Sequence, residues 1–228
     1  ILLIKGEKMK KKKFLIMSLS ALMLISAAGC STSNEAEAPD ESAAQEVMVI
    51  DSENKEITML AEVNGKYFTE STRHGVVFKD GSNGEKSVLR GLADEKEFYN
   101  ALIEIGAVAG DNLTAEDMKA GPADGKSVEG DKLIATVTWD GLDKEIPFED
   151  IIKASEERPM DLRFGGNLAS AEKNNTGCVL CLDSCATGIT SDASYPTGTT
   201  QNKTVDFFGD DSVLPEDGTQ VKVIFRLA

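Results

Sequence analysis

A chain of 228 residues with 24 basic against 39 acidic side chains carries a formal net charge of −15, and 41% of it is hydrophobic. So much negative charge argues against nucleic acid as a partner, because such binding runs on neutralising phosphates with Lys and Arg. It argues equally against electrostatic docking on anionic lipid.

The chain opens on Ile1, which is not a start residue, whereas Met9 begins a well-formed leader. Lys5-Gly6-Glu7-Lys8 back-translates to a purine-rich stretch that can contain a ribosome-binding sequence, so residues 1–8 are expected to be translated upstream sequence and are set aside from fold reasoning. Residues 9–29 read as a secretory signal peptide. Lys10 to Lys13 are basic, Phe14 to Ile25 are apolar but short for a bilayer span, and Ser26 to Gly29 are the small residues a peptidase needs. Cys30 follows directly, and the segment then resembles a bacterial lipoprotein signal. That resemblance implies cleavage after Gly29 and a diacylglyceryl thioether on Cys30, with palmitate-type chains anchoring the protein to the outer, extracytoplasmic face of the cell membrane. The alternatives are an uncleaved anchor and an ordinary signal peptide. One acyl chain is marginal and two hold firmly, at about 0.8 kcal/mol per buried methylene. Residues 30–45 contain Glu35, Glu37, Asp40 and Glu41, no basic residue and almost no bulky apolar one. Such a segment cannot bury enough surface to offset its ordering entropy and is expected to be a flexible acidic tether.

Residues 46–228 are about the size of one domain and show no internal repeat. Val47 to Ile50 and Ile57 to Val63 read as strands, with Asn64-Gly65 as a tight hairpin turn before Lys66 to Phe68. Val76 to Phe78 and Ser87 to Arg90 are further apolar runs on either side of the polar loop Asp80 to Glu85. The best helix starts at Asp94, with Glu97 as a capping-box partner; Phe98, Leu102 and Ile105 share one face and Gly106 stops it. A short helix is expected after Thr114. Leu133 to Trp139 is a β-branched strand, turned by Asp140-Gly141 toward Glu145-Ile146, where Pro147 marks an edge. Phe148 to Ala154 reads as a helical turn, and Val221 to Leu227 as a closing strand after Asp217-Gly218. Strands outnumber helices around one well-formed mid-chain helix, so the expected class is a strand-rich α+β single domain.

The residues with chemistry cluster late. Cys178, Cys181 and Cys185 have C-x₂-C-x₃-C spacing within a stretch bounded by Gly177 and Gly188, where a turn-rich loop is expected to gather them. Thiolates this close can converge on a metal. The spacing also matches the last part of a bacterial ferredoxin run, but Asn175 stands where the first Cys belongs and Ala186 where the Pro does, so a complete iron–sulfur motif is absent.

Thr72-Arg73-His74-Gly75 before an apolar run, Phe98 to Gly106 followed by Gly110-Asp111-Asn112, and Phe164-Gly165-Gly166-Asn167 ahead of the cysteine segment together resemble the YdjY-domain family of bacterial exported and ferredoxin-associated proteins. The resemblance covers most of residues 46–228. It implies a domain label and a redox-flavoured neighbourhood, not an activity.

Three readings of the cysteines stay open. One is a redox or metal thiol site with Cys178, Cys181 and Cys185 as ligands for Zn or another soft metal, and His74 or solvent as the fourth. The second is one disulfide plus a spare thiol, the common use of Cys in exported chains. The third is three inert reduced residues. If Cys30 is lipidated, the remaining odd count cannot fully pair within the chain. An iron–sulfur cluster meets a further objection, since the Lys-rich leader lacks the Arg pair of the folded-export route. His74 is the only His, so a Ser-His-Asp hydrolase has one candidate base, and no Gly-x-Ser-x-Gly accompanies it. Gly121 to Ser127 mimics a phosphate-binding loop but is one residue short. Asp210-Asp211 with Glu216-Asp217 reads as a charged surface loop able to hold a cation weakly.

The functional expectation is a membrane-tethered extracytoplasmic lipoprotein, more a non-enzymatic binding or redox-accessory module than an enzyme, with an unidentified protein or redox partner. An extracytoplasmic thiol oxidoreductase and a chemistry-free envelope protein are the alternatives. Cys30→Ser is expected to release the domain from the membrane fraction or leave an unprocessed precursor. Fractionation and mass measurement check this, and a processed, membrane-bound variant would contradict the lipoprotein reading.

Overall fold

The structure, a computed structural model, describes residues 46–121 and 123–228; the residues before Met9, the leader, Cys30 and the whole of the tether lie outside the described residues. Twelve strands and two α-helices follow in order: β1 (Met48–Asp51), β2 (Glu56–Val63), β3 (His74–Phe78), β4 (Ser87–Gly91), α1 (Glu95–Glu104), β5 (Leu133–Thr138), β6 (Ile146–Pro147), β7 (Ile152–Ala154), β8 (Leu162–Phe164), α2 (Leu168–Asn174), β9 (Cys178–Cys181), β10 (Thr190–Asp192), β11 (Phe207–Gly209) and β12 (Gln220–Leu227). The described domain is thus mostly β, which the strand-rich α+β expectation matches at that level. Among the described residues, no helix is long and apolar enough to cross a membrane.

One large sheet runs β6-β5-β12-β2-β4-β3-β9-β10-β8, with β1 paired to β2. Most pairs are antiparallel; β3–β4 and β9–β10 are parallel. An isolated bridge from Lys132 to Arg163 brings the β8 end back toward the start of β5, so the sheet curls on itself. Period-two patterning explains the outer strands. In β5, Leu133, Ala135 and Val137 are buried while the residues between them are not, the signature of a sheet with one face on the core. Helix α1 begins where the Asp94 carboxylate accepts the Lys96 N–H at 2.7 Å. It ends at Gly106, whose φ of +89° lets the Ala107 N–H reach Leu102 O and its own N–H reach Ile103 O, each at 3.0 Å, a Schellman ending. Its buried face carries Phe98, Ala101 and Leu102, and the Phe98 ring lies 4.6 Å from that of Phe225 on β12.

The last expected strand is present as β12, and it lies inside the sheet, between β2 and β5. Three local expectations are corrected. Gly65 to Phe68 form a 3-10 turn rather than the return arm of a hairpin, because β2 finds its partners in β1, β4 and β12. Phe148 to Ile151 make a 3-10 turn, but Ile152 to Ala154 leave it as β7 and pair with β11. The cysteine stretch is not a turn-rich loop at its start: Cys178 to Cys181 are strand β9, every residue buried, flanked by β3 and β10. Helix α2 was not foreseen; its polar face reads in sequence like a loop.

Candidate metal and thiol site

Strands β3 and β9 pair antiparallel with His74 opposite Cys181, Val76 opposite Leu180 and Val77 opposite Cys178. That register has one extra residue on β3 (Gly75) and one on β9 (Val179). Residues three apart on a regular strand face opposite sides; the bulge at Val179 changes that parity. Cys178 and Cys181 therefore turn to one side, and the ligand atoms of His74, Cys178 and Cys181 all lie within 4.8 Å of one another. Cys178 Sγ is 3.7 Å from His74 Nδ1 and 3.9 Å from Asn83 Nδ2.

Cys185 joins the same cluster from the turn after β9, together with Val77. It stands outside the trio and has Thr187 Oγ1 at 3.3 Å. Its turn is held by Asn167, whose Nδ2 donates to Cys185 O at 3.1 Å and to Gly188 O at 2.9 Å. Gly188 is small for a reason: a Cβ there would come 2.9 Å from both Cys181 Sγ and Ser191 Oγ. The cysteines are free thiols, 0%, 0% and 3% exposed in chain order, and His74 is half-buried.

A buried ion pair frames the site. Asp183, fully buried, accepts from Arg73 Nε at 3.0 Å and from a second guanidinium nitrogen at 2.5 Å through one oxygen. Its other oxygen accepts the Thr200 hydroxyl at 2.7 Å and the Thr200 N–H at 3.2 Å. Burial works against the Arg73 charge, but Cys185, Asp183 and Cys181 outweigh it and hold the guanidinium above its ordinary value. Among the thiols, Cys181 hydrogen-bonds both neighbours and is pushed up, by those bonds first and by burial next. Cys178 is pulled down by the hydrogen bond from Cys181 and, against burial, by His74. Cys185 is pulled down by the bond from Cys181 and, against burial, by the Arg73 charge.

Two buried hydroxyls beside the thiols lack hydrogen-bond partners. Ser191 Oγ stands across β9–β10 from Cys181, and Thr176 Oγ1 lies beside Cys178 without reaching bonding geometry. Buried polar atoms are normally satisfied, so these two hydroxyls are exceptions that sit beside the thiols.

The structure therefore gathers His74, Cys178, Cys181 and Cys185, and places Asn167 under the Cys185 turn. It leaves Asn175 out, with its Oδ1 accepting from Lys96 Nζ at 3.2 Å, so the ferredoxin-like first position supplies nothing to the cluster. Asp210 and Asp211 are held by Lys153 at 2.8 and 2.7 Å, an internal counter-ion in place of a bound cation. Sequence reasoning missed Asp183, Ser191 and Met118, which packs against the thiols. An Asp two residues after Cys181 in an otherwise apolar stretch was the available signal for the first; the others had none.

Residues 48–226 match the family model of the YdjY domain. The chain belongs to the YdjY family. One curated relative, "Uncharacterized protein YdjY" of Escherichia coli (strain K12), is 41% identical over 221 residues, covering 92% of this chain and 94% of its own length. No solved structure matches this chain.

In this YdjY domain, Asp183→Asn leaves the Arg73 guanidinium buried without its counter-charge. The expected cost is about 3–5 kcal/mol in denaturant unfolding, with Arg73→Met added on top recovering part of it. A loss under about 1 kcal/mol, as for an exposed pair, would contradict the framing role.

Proposed function

We propose that this YdjY-family chain is a lipid-tethered extracytoplasmic module that performs no catalysis of its own and uses His74, Cys178 and Cys181, with Cys185 beside them, to hold a soft metal ion in a redox-accessory role. The convergence of one imidazole nitrogen and two thiols within 4.8 Å carries this reading. Thiolate and imidazole select soft or borderline ions over Mg²⁺ or Ca²⁺. The buried Asp183 carboxylate is spent on Arg73 and Thr200.

Burial weighs against the thiol oxidoreductase alternative. An exchange enzyme attacks a disulfide with an accessible thiolate, whereas Cys178 and Cys181 are 0% exposed. The depressed Cys178 thiol is the group an oxidoreductase needs, but a metal ligand needs the same ionised form. Outside the cytoplasm, free thiols tend to be oxidised in pairs, and an occupying ion protects them. Lipid anchoring at Cys30 supplies the membrane attachment that the acidic surface does not.

The test is thiol trapping on native protein prepared without air, with Cd²⁺ as a probe of soft-ion binding. One equivalent of Cd²⁺ is expected to bind with thiolate-to-metal absorption, and no mixed disulfide to accumulate at Cys178 or Cys181 before unfolding. A trapped adduct on the folded protein, or no Cd²⁺ uptake, would overturn the reading.

A further inference from the structure

Resting on the soft-ion reading, we propose that the ion this site is built for is monovalent copper, held in three-coordinate geometry by His74 Nδ1, Cys178 Sγ and Cys181 Sγ, with the Met118 thioether covering the open side. The first argument is donor number. Three ligand atoms lie within 4.8 Å of one another, and Cys185 is not among them. Structural Zn²⁺ sites are almost always four-coordinate and tetrahedral, whereas thiolate and thioether donors favour Cu(I), an ion content with two or three ligands.

The second argument is the surroundings. Cys178 and Cys181 are 0% exposed, so the sulfur side of the site is screened from solvent. The donors are soft, and Met118 adds another: it sits half-buried on the 3-10 turn Asp117–Lys119 and packs against the cluster formed by Val77 and the three cysteines. Its Sδ receives the Ala186 N–H at 3.3 Å, a weak bond for a thioether that a soft cation can replace. The turn is fixed in place by Asp117, which accepts the Thr114 N–H at 2.8 Å and pairs with Lys126 Nζ at 2.6 Å.

The third argument is charge. Two thiolates and one Cu(I) leave a single excess negative charge; the Arg73 guanidinium beside Cys181 and Cys185 is already paired with Asp183, so it lessens that charge without cancelling it. Binding balances as one Cu(I), two thiols and a neutral imidazole giving one complex and two released protons. Copper stays at +1 throughout and no electron moves.

The test uses the purified chain without oxygen. Cu(I) is supplied from an acetonitrile-stabilised stock in competition with a bathocuproine chelator, and Zn²⁺ in competition with a chromophoric zinc chelator. One equivalent of Cu(I) is expected to bind at least about 100-fold more tightly than Zn²⁺, with X-ray absorption showing two sulfurs and one nitrogen as the close shell. Cys185→Ser is expected to leave Cu(I) affinity within about threefold, while Met118→Leu lowers it about tenfold, as an outer partner does. Cys178→Ala is expected to abolish uptake, and His74→Gln to weaken it, with melting curves of the ion-free variants separating lost ligation from lost folding. Tighter Zn²⁺ than Cu(I), together with loss of binding in Cys185→Ser, would overturn the copper assignment and leave the soft-ion reading standing. Uptake of neither ion would overturn both. Unchanged affinity in Met118→Leu would overturn the role of the thioether.

Discussion

The ion pair between Arg73 and Asp183 is the constraint on which the site depends. Arg73 directly precedes His74 on the way into β3, and Asp183 follows Cys181 by two residues on the way out of β9. A bond between the two therefore fixes the imidazole relative to the thiols from the side. A fully buried carboxylate is costly unless each oxygen is satisfied, and here one oxygen takes the guanidinium while the other takes Thr200. That demand leaves few alternative positions for the β9 exit, and Asn167 then fixes the turn that follows by binding two of its carbonyls.

Within that frame the two bulges decide the chemistry. An unbulged β9 would send one of Cys178 and Cys181 to the opposite face of the sheet. With Gly75 and Val179 each taking an extra place in the ladder, the strand keeps its pairing and still presents both sulfurs to His74. Burial then acts on the group as a whole. It raises the cost of any isolated thiolate, and the hydrogen bonds with Cys181 and the Arg73 charge beside Cys185 work against that cost.

Much of the fold was legible because local rules and burial agreed. Asp94 and Gly106 delimit α1 in sequence and in structure, and the alternation of Leu133 to Thr138 is that of a half-buried strand. Where they misled, tertiary pairing overrode local chemistry: Asn64-Gly65 has turn composition, but β2 is claimed by three other strands. The site was half legible. The spacing of the cysteines and the lone His74 named residues that the structure brings together, and Asn167 of the Phe164 to Asn167 run bonds the turn beside them. Their convergence was not readable, because it rests on a bulge parity and on a pair 110 positions apart in sequence, Arg73 and Asp183. Met118 was invisible for the same reason, since nothing in the sequence around it marks a turn folded against thiols.

The claim at the centre of this account is that the imidazole and the thiols are one site, and the single histidine makes it measurable. In the untagged chain labelled with ¹⁵N-histidine, His74 gives one pair of ring-nitrogen signals. One equivalent of Ag(I), a redox-stable soft probe, is predicted to move the Nδ1 resonance strongly while Nε2 changes little, as two thiols lose reactivity in step. Uptake of the ion by the thiols with both ring nitrogens unmoved would contradict it.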